Sequence, residues 1–207
     1  MFSHIGGTRR RAGGPQAKGQ DHHARIVIDL DDAWNGSTRQ ISLRVPQAGP
    51  DGRLTLVTRT LKVKIPQGVR EGQLIRLGGL GAPGFSGGSA GDLYLEVHFH
   101  PHPRFRVEGR DLHLALPVAP WEAALGATIA IALPAGHQVK VRIPEGAQSG
   151  HKLKVRGKGI PGDSSGDLYL NIEVVLPDAS HPQARQIYET MQRELAFNPR
   201  AEWENTR

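Results

Sequence analysis

Apolar residues recur with a period of two along most of this chain. Ile26, Ile28 and Leu30 alternate with Val27 and Asp29. Val139, Val141 and Ile143 alternate with Gln138, Lys140 and Arg142, and Leu153 and Val155 with Lys152, Lys154 and Arg156. A period of two puts alternate side chains on opposite faces of a strand. The last two runs therefore read as a half-buried antiparallel hairpin, with Ile143 opposite His151, Arg142 opposite Lys152 and Lys140 opposite Lys154. Its connection, Pro144–Gly150, is too long for a two-residue turn. Leu168–Leu176 supplies another strand. The period changes only near the C-terminus, where Ile187, Met191 and Leu195 recur at helical spacing with Tyr188 beside them. Pro182 suits the first turn of that helix and Asn198-Pro199 ends it.

The strand pattern is duplicated. Val63–Gly84 (VKIPQGVREGQLIRLGGLGAPG) and Val141–Gly162 (VRIPEGAQSGHKLKVRGKGIPG) share Ile, Pro and Gly positions at an offset of 78. Both continue into Gly-Asp-Leu-Tyr, at Gly91–Tyr94 and Gly166–Tyr169, where the offset is 75, so the first copy has a loop three residues longer. Upstream, Ala33-Trp34-Asn35-Gly36 matches Ala123-Ala124-Leu125-Gly126. The expected fold is mainly β: two tandem small β-sandwich domains followed by a C-terminal helix. The expected bounds are a flexible Gly/Arg-rich linker over 1–23, domain I over 24–107, domain II over 108–178, and a dimerisation helix and tail over 179–207.

Composition narrows the chemistry. The 26 Gly and 15 Pro favour short strands and turns. With no cysteine, disulfides, thiolate metal sites and cysteine nucleophiles are excluded. No run of about 18 apolar residues is present, so no membrane span is expected. The net charge is +6. Arg9, Arg10, Arg11, Lys18 and Arg25, against Asp21 alone, concentrate much of it in the first 25 residues. A basic balance suits anionic partners, nucleic acid among them, and equally serves solubility.

Each candidate motif has a competing structural reading. Gly79–Gly84 and Gly157–Gly162 match G-x-G-x-x-G, but a dinucleotide loop must open a helix; here Pro and a strand follow, which points to β-turns. His98, His100 and His102 alternate, but Pro101 and Pro103 break the strand, so a strand exit is favoured over a metal site and no cofactor is expected. Asp31-Asp32 read as a cap to the following turn. Lys140, Arg142, Lys152, Lys154, Arg156 and Lys158 form either a cationic anion-binding face or a solvated edge protected against aggregation. Ile26 and Ile28, with Ile41, Leu43 and Val45 near Arg39 and Arg44, form either core or an apolar groove for an extended peptide. Ile187, Tyr188, Met191 and Leu195 either fold back on the chain or meet a second copy. No residue set converges for catalysis, and the chain reads as a non-enzyme.

Six segments carry a family resemblance: IDLDDAWNG, LKVKIPQGVREGQLIRLGGLG, GDLYLEVHFHPHPRF, GRDLHLALPVAPWEAALG, VRIPEGAQSGHKLKVRGKGIPG and FNPRAEW. Over residues 24–207 the chain resembles the C-terminal half of a DnaJ-type co-chaperone of the zinc-free class. Pro120–Gly126 and FNPRAEW look most like its DNA-binding members. The resemblance implies a V-shaped homodimer that holds unfolded clients for a DnaK-type chaperone, in the cytoplasm and on nucleoid DNA. It implies client contacts at Ile26, Ile41 and Leu43, a groove-lining Phe105, and Arg39 near the site that receives the chaperone's acidic C-terminal tail. The J-domain with its His-Pro-Asp loop is absent from these residues, and the Gly/Arg-rich start resembles the linker that follows it.

Overall fold

The computed structural model describes residues 16–48 and 54–204. Each alternating run forms a strand with its apolar set inside. In β1 (His22–Ile28), Ile26 and Ile28 are 4% and 3% exposed while Val27 between them is 52% exposed. There follow α1 (Leu30–Asn35), β2 (Ser37–Ala48), β3 (Leu54–Ile65), β4 (Leu74–Leu77), β5 (Leu93–Phe99), β6 (Phe105–Glu108) and β7 (Asp111–Val118). The second copy supplies α2 (Pro120–Leu125), β8 (Ala127–Ala132), β9 (Gln138–Ile143), β10 (Lys152–Val155) and β11 (Leu168–Val174). Two helices, α3 (Pro182–Glu194) and α4 (Ala201–Glu204), end the described chain. The fold is mainly β, two small sandwiches and a C-terminal helix.

Strand pairing departs from the hairpin expected between β9 and β10. β9 pairs with β8, whereas β10 joins a four-stranded sheet in the order β10-β11-β7-β6. The first copy does the same. β2 and β3 pair antiparallel as a separate ribbon, while β4 lies against β5 in the order β1-β5-β4, with β1 parallel to β5. The connections explain this. The Gly68 N–H donates to the Ala33 carbonyl in α1, and the Gly72 N–H to the Val97 carbonyl on β5. In the second copy Ala147 N–H reaches Ala123 O and Gly150 N–H reaches Ile172 O. Each link carries the chain from ribbon to sheet instead of folding it back. Gly72 and Gly150 take the left-handed φ values of 72° and 85° that this turn requires.

Order also begins earlier than expected. Residues 1–15 lie outside the described part, but Gln16–Asp21 run along the long loop before β5. Ala17 bridges Phe85, Gly19 N–H donates to Ser89 O, and Ala82 N–H donates to Gln20 O.

Two compact units are distinguished. One holds the described residues up to Leu114 with Ala130–Val139 and Lys154–Leu170; its core includes Trp34, Val63, Ile65, Leu93, Leu95, Leu112 and Leu168. The other holds Ala115–Ile129, Lys140–Leu153 and the described residues from Asn171, around Leu116, Val118, Val141, Ile143 and Ile172. Each such fully buried aliphatic side chain contributes about 1.5–3 kcal/mol.

Candidate functional site

The expected apolar strip is divided by the fold. Ile26 and Ile28 face the core of the β1-β5-β4 sheet and offer no surface to a peptide, a correction to their place in a groove. Ile41 and Leu43 are half-buried on β2, opposite Leu61 and Arg59 in the ribbon register. Phe105 is buried, its ring 5.1 Å from that of His102 and covered by the Arg104 guanidinium 5.4 Å from its centre.

Arg39, expected near an acidic ligand, already holds two carboxylates. Its Nε donates to both oxygens of Asp32, at 3.1 and 3.0 Å, and its Nη2 donates to Asp29 at 2.7 Å. Burial opposes the charge on Asp32, but Arg39 and the Asp29 N–H together hold its carboxyl below the usual range. Asp32 also caps α1 by accepting the Asp29 N–H, and Asp31 accepts the N–H of Ala135. An acidic peptide at Arg39 would compete with side chains already in place.

Two of the three histidines have separate partners. His98 Nδ1 lies 2.7 Å from Glu71 Oε1, while His102 Nδ1 accepts the N–H groups of Arg104 and Phe105. Among the described residues no three His, Cys, Asp or Glu side chains converge to hold a metal. The two G-x-G-x-x-G segments are turns: Gly79 and Gly157 have φ of 70° and 65°, and β5 and β11 come next instead of helices.

The six basic residues of the second copy are all exposed, but they do not form one hairpin face. Lys140 and Arg142 alternate with buried Val141 and Ile143 on β9, whereas Lys152 and Lys154 belong to β10. Lys154 is committed internally. Its Nζ lies 2.8 Å from Asp167 and 5.2 Å from the centre of the Tyr169 ring, and the Asp167 and Tyr169 side chains raise it well above the usual lysine range. Asp167 in turn accepts the Gly157 N–H, and its own N–H donates to Asp111. The first copy repeats this arrangement: Asp92 accepts from Gly79 and Arg76, and its N–H donates to Asp21. These aspartates are structural clamps on the turns.

A family model for the DnaJ C terminal domain matches residues 22–177. The chain belongs to that family. Among similar proteins, a curved DNA-binding protein of Coxiella burnetii is 46% identical over 186 residues, covering 89% of this chain and 59% of the relative. Curved DNA-binding proteins of Pseudomonas syringae and Pseudomonas putida are 41% and 42% identical, covering 98% and 96% of this chain and 67% and 63% of themselves. The chain thus spans about three fifths of the length of the first of these relatives.

Within this DnaJ C-terminal domain chain, α3 leaves Ile187, Met191 and Leu195 67%, 51% and 57% exposed. Tyr188 differs from them: its hydroxyl donates to the Pro177 carbonyl and ties the helix to the preceding segment. Phe197 and Trp203, which no periodicity in the sequence marks, are 80% and 76% exposed beyond the helix. Lys62 and Lys64 on β3, the repeat counterparts of Lys140 and Arg142, also escape a reading by local charge density. The duplication itself is the signal that finds them. No helix among the described residues is long and apolar enough to cross a membrane.

Proposed function

We propose that this chain is the client-binding region of a DnaJ-type co-chaperone, holding extended apolar polypeptide for a DnaK-type chaperone and also binding DNA. The observation that carries the reading is the family match together with half-buried Ile41 and Leu43 on β2. Two apolar side chains part-way out of a core, on a strand with exposed neighbours, suit an extended segment laid along them. Arg39 beside them suits the chaperone's acidic tail, which would have to displace Asp29 or Asp32. The exposed stripe of α3 suits a homodimer, and cytoplasm with nucleoid DNA is the setting. Ile41→Asp or Leu43→Asp is expected to weaken binding of a fluorescent unfolded polypeptide tenfold or more, about 1.4 kcal/mol, while the circular dichroism spectrum is kept. Unchanged affinity in a folded variant would reject the groove.

A second reading, a chiefly DNA-binding protein with little client binding, is favoured by the names of the relatives and by exposed Lys140, Arg142, Lys152, Arg156 and Lys158. Its signature is affinity for duplex DNA that falls linearly with salt on logarithmic axes. Anisotropy with both ligands separates the two readings: DNA bound and polypeptide ignored would favour the second.

A further inference from the structure

The β2–β3 ribbon has two unlike faces. Facing inward, Val63 and Ile65 are buried and Ile41 and Leu61 half-buried. On the other face, the register sets Thr38 opposite Lys64, Gln40 opposite Lys62 and Ser42 opposite Thr60, and all six are exposed. Ser42 Oγ lies 3.2 Å from Thr60 Oγ1. The two strands contain Arg39, Arg44, Arg59, Lys62 and Lys64 and not one Asp or Glu. Lys62 and Lys64 form no ion pair among the described residues, unlike Arg39, Arg76 and Lys154. An unneutralised cation pair flanked only by hydroxyls and an amide is the donor set that phosphate backbones receive.

Given the DNA-binding reading, on which this rests, the geometry points to the outer face of the β2–β3 ribbon as the element that enters the major groove of duplex DNA. A two-stranded ribbon, its strands about 4.8 Å apart, fits a groove about 12 Å wide. From Thr38 to Ser42 the face runs about 13 Å at roughly 3.3 Å per residue. Lys62 and Lys64 meet phosphates, with Thr38, Gln40, Ser42 and Thr60 donating beside them. Lys140 and Arg142 repeat the cation pair on β9, but β8 beside them keeps only Thr128 as a hydroxyl and has Ala130 and Ala132 where β2 has Gln40 and Ser42. The full donor face is therefore confined to the first ribbon. This moves the principal contact away from the basic residues of β10.

The test uses the 207-residue chain, random-sequence duplex DNA and anisotropy from 50 to 200 mM salt. For Lys62→Gln with Lys64→Gln, the slope of log affinity against log salt is expected to become shallower by about 1.8, or 0.9 for each phosphate no longer neutralised. Lys152→Gln with Lys158→Gln is expected to change it less. Bound wild-type protein should protect guanine N7, which lies in the major groove, from dimethyl sulfate, and the ribbon variant should not. Wild-type binding with an unchanged slope in the ribbon variant overturns this inference alone. No binding by the wild type overturns the DNA reading and the inference with it. Loss of unfolded-polypeptide binding with DNA affinity intact assigns the face to peptide and also overturns it. Both substitutions are at exposed positions, and matching melting curves confirm folding.

Discussion

Asp92 and Asp167 occupy the same place in the two copies and make the same bonds. Each accepts the N–H of a left-handed glycine, takes a cation (Arg76 or Lys154), and lends its own N–H to another aspartate. The Gly79 N–H, with Arg76 and Lys18, holds Asp92 below the usual carboxylate range; Lys154, with the Gly157 N–H, does so for Asp167. A depressed carboxylate stabilises the fold above its unfolded value of 3.8 and loses that contribution as pH falls through the lower folded value. Asp92→Asn with Asp167→Asn should therefore lower the melting temperature at pH 7 and flatten its decline below about pH 4. Burial, and then neighbouring Arg104, also lower His102 from its usual 6.5 by disfavouring the charged imidazolium; the contribution of the neutral ring is full above 6.5 and is lost as pH falls through the lower folded value. Asp32→Ala should cost about 1–2 kcal/mol, the modest figure reflecting the half-exposed Arg39. The Gly-Asp-Leu-Tyr repeat makes these aspartates visible in the sequence, but not their partners. Asp29, Asp32 and Arg39 meet only because α1 turns the chain between them, which no alternation of apolar residues reports.

At the level of elements, alternation identifies the strands and the buried side of each, as Val141 and Ile143 show. It does not identify neighbours. A period of two states which residues face inward and is silent on which strand lies alongside, so β9 and β10 look like one hairpin. The Gly68–Gly72 and Gly146–Gly150 links decide the pairing through bonds to α1, α2, β5 and β11. Two glycines separate two kinds of constraint. At Gly72, with φ of 72° and open space around it, alanine should cost about 1 kcal/mol in backbone strain. At Gly91 a new Cβ would sit 2.1 Å from the Gln20 carbonyl oxygen. Gly91→Ala should therefore push Gln16–Asp21 from their seat. Hydrogen exchange should show faster exchange at Gly19 and Ala82 with β5 still protected, and unaltered exchange at those two amides would count against the packing described.

For the whole molecule, duplication is legible from β1 to β11, and the copies differ in what they expose. The first carries the longer ribbon with its polar donors; the second leads into α3. If α3 joins two chains, Ile187→Glu with Met191→Glu should raise the dissociation constant about a hundredfold or more, since each buried aliphatic side chain contributes about 1.5–3 kcal/mol. Sedimentation equilibrium reads this directly, and the wild-type melting temperature should rise with protein concentration. The seat of Gln16–Asp21 has a mechanical consequence. Anything joined ahead of Gln16 is anchored beside Phe85, at the tip of the long loop, instead of at the start of β1. Peeling those six residues away would lengthen the leash by about 20 Å. The local concentration of an attached partner at this module would fall accordingly, so the bonds of one short arm to a glycine-rich loop set how far such a partner can roam.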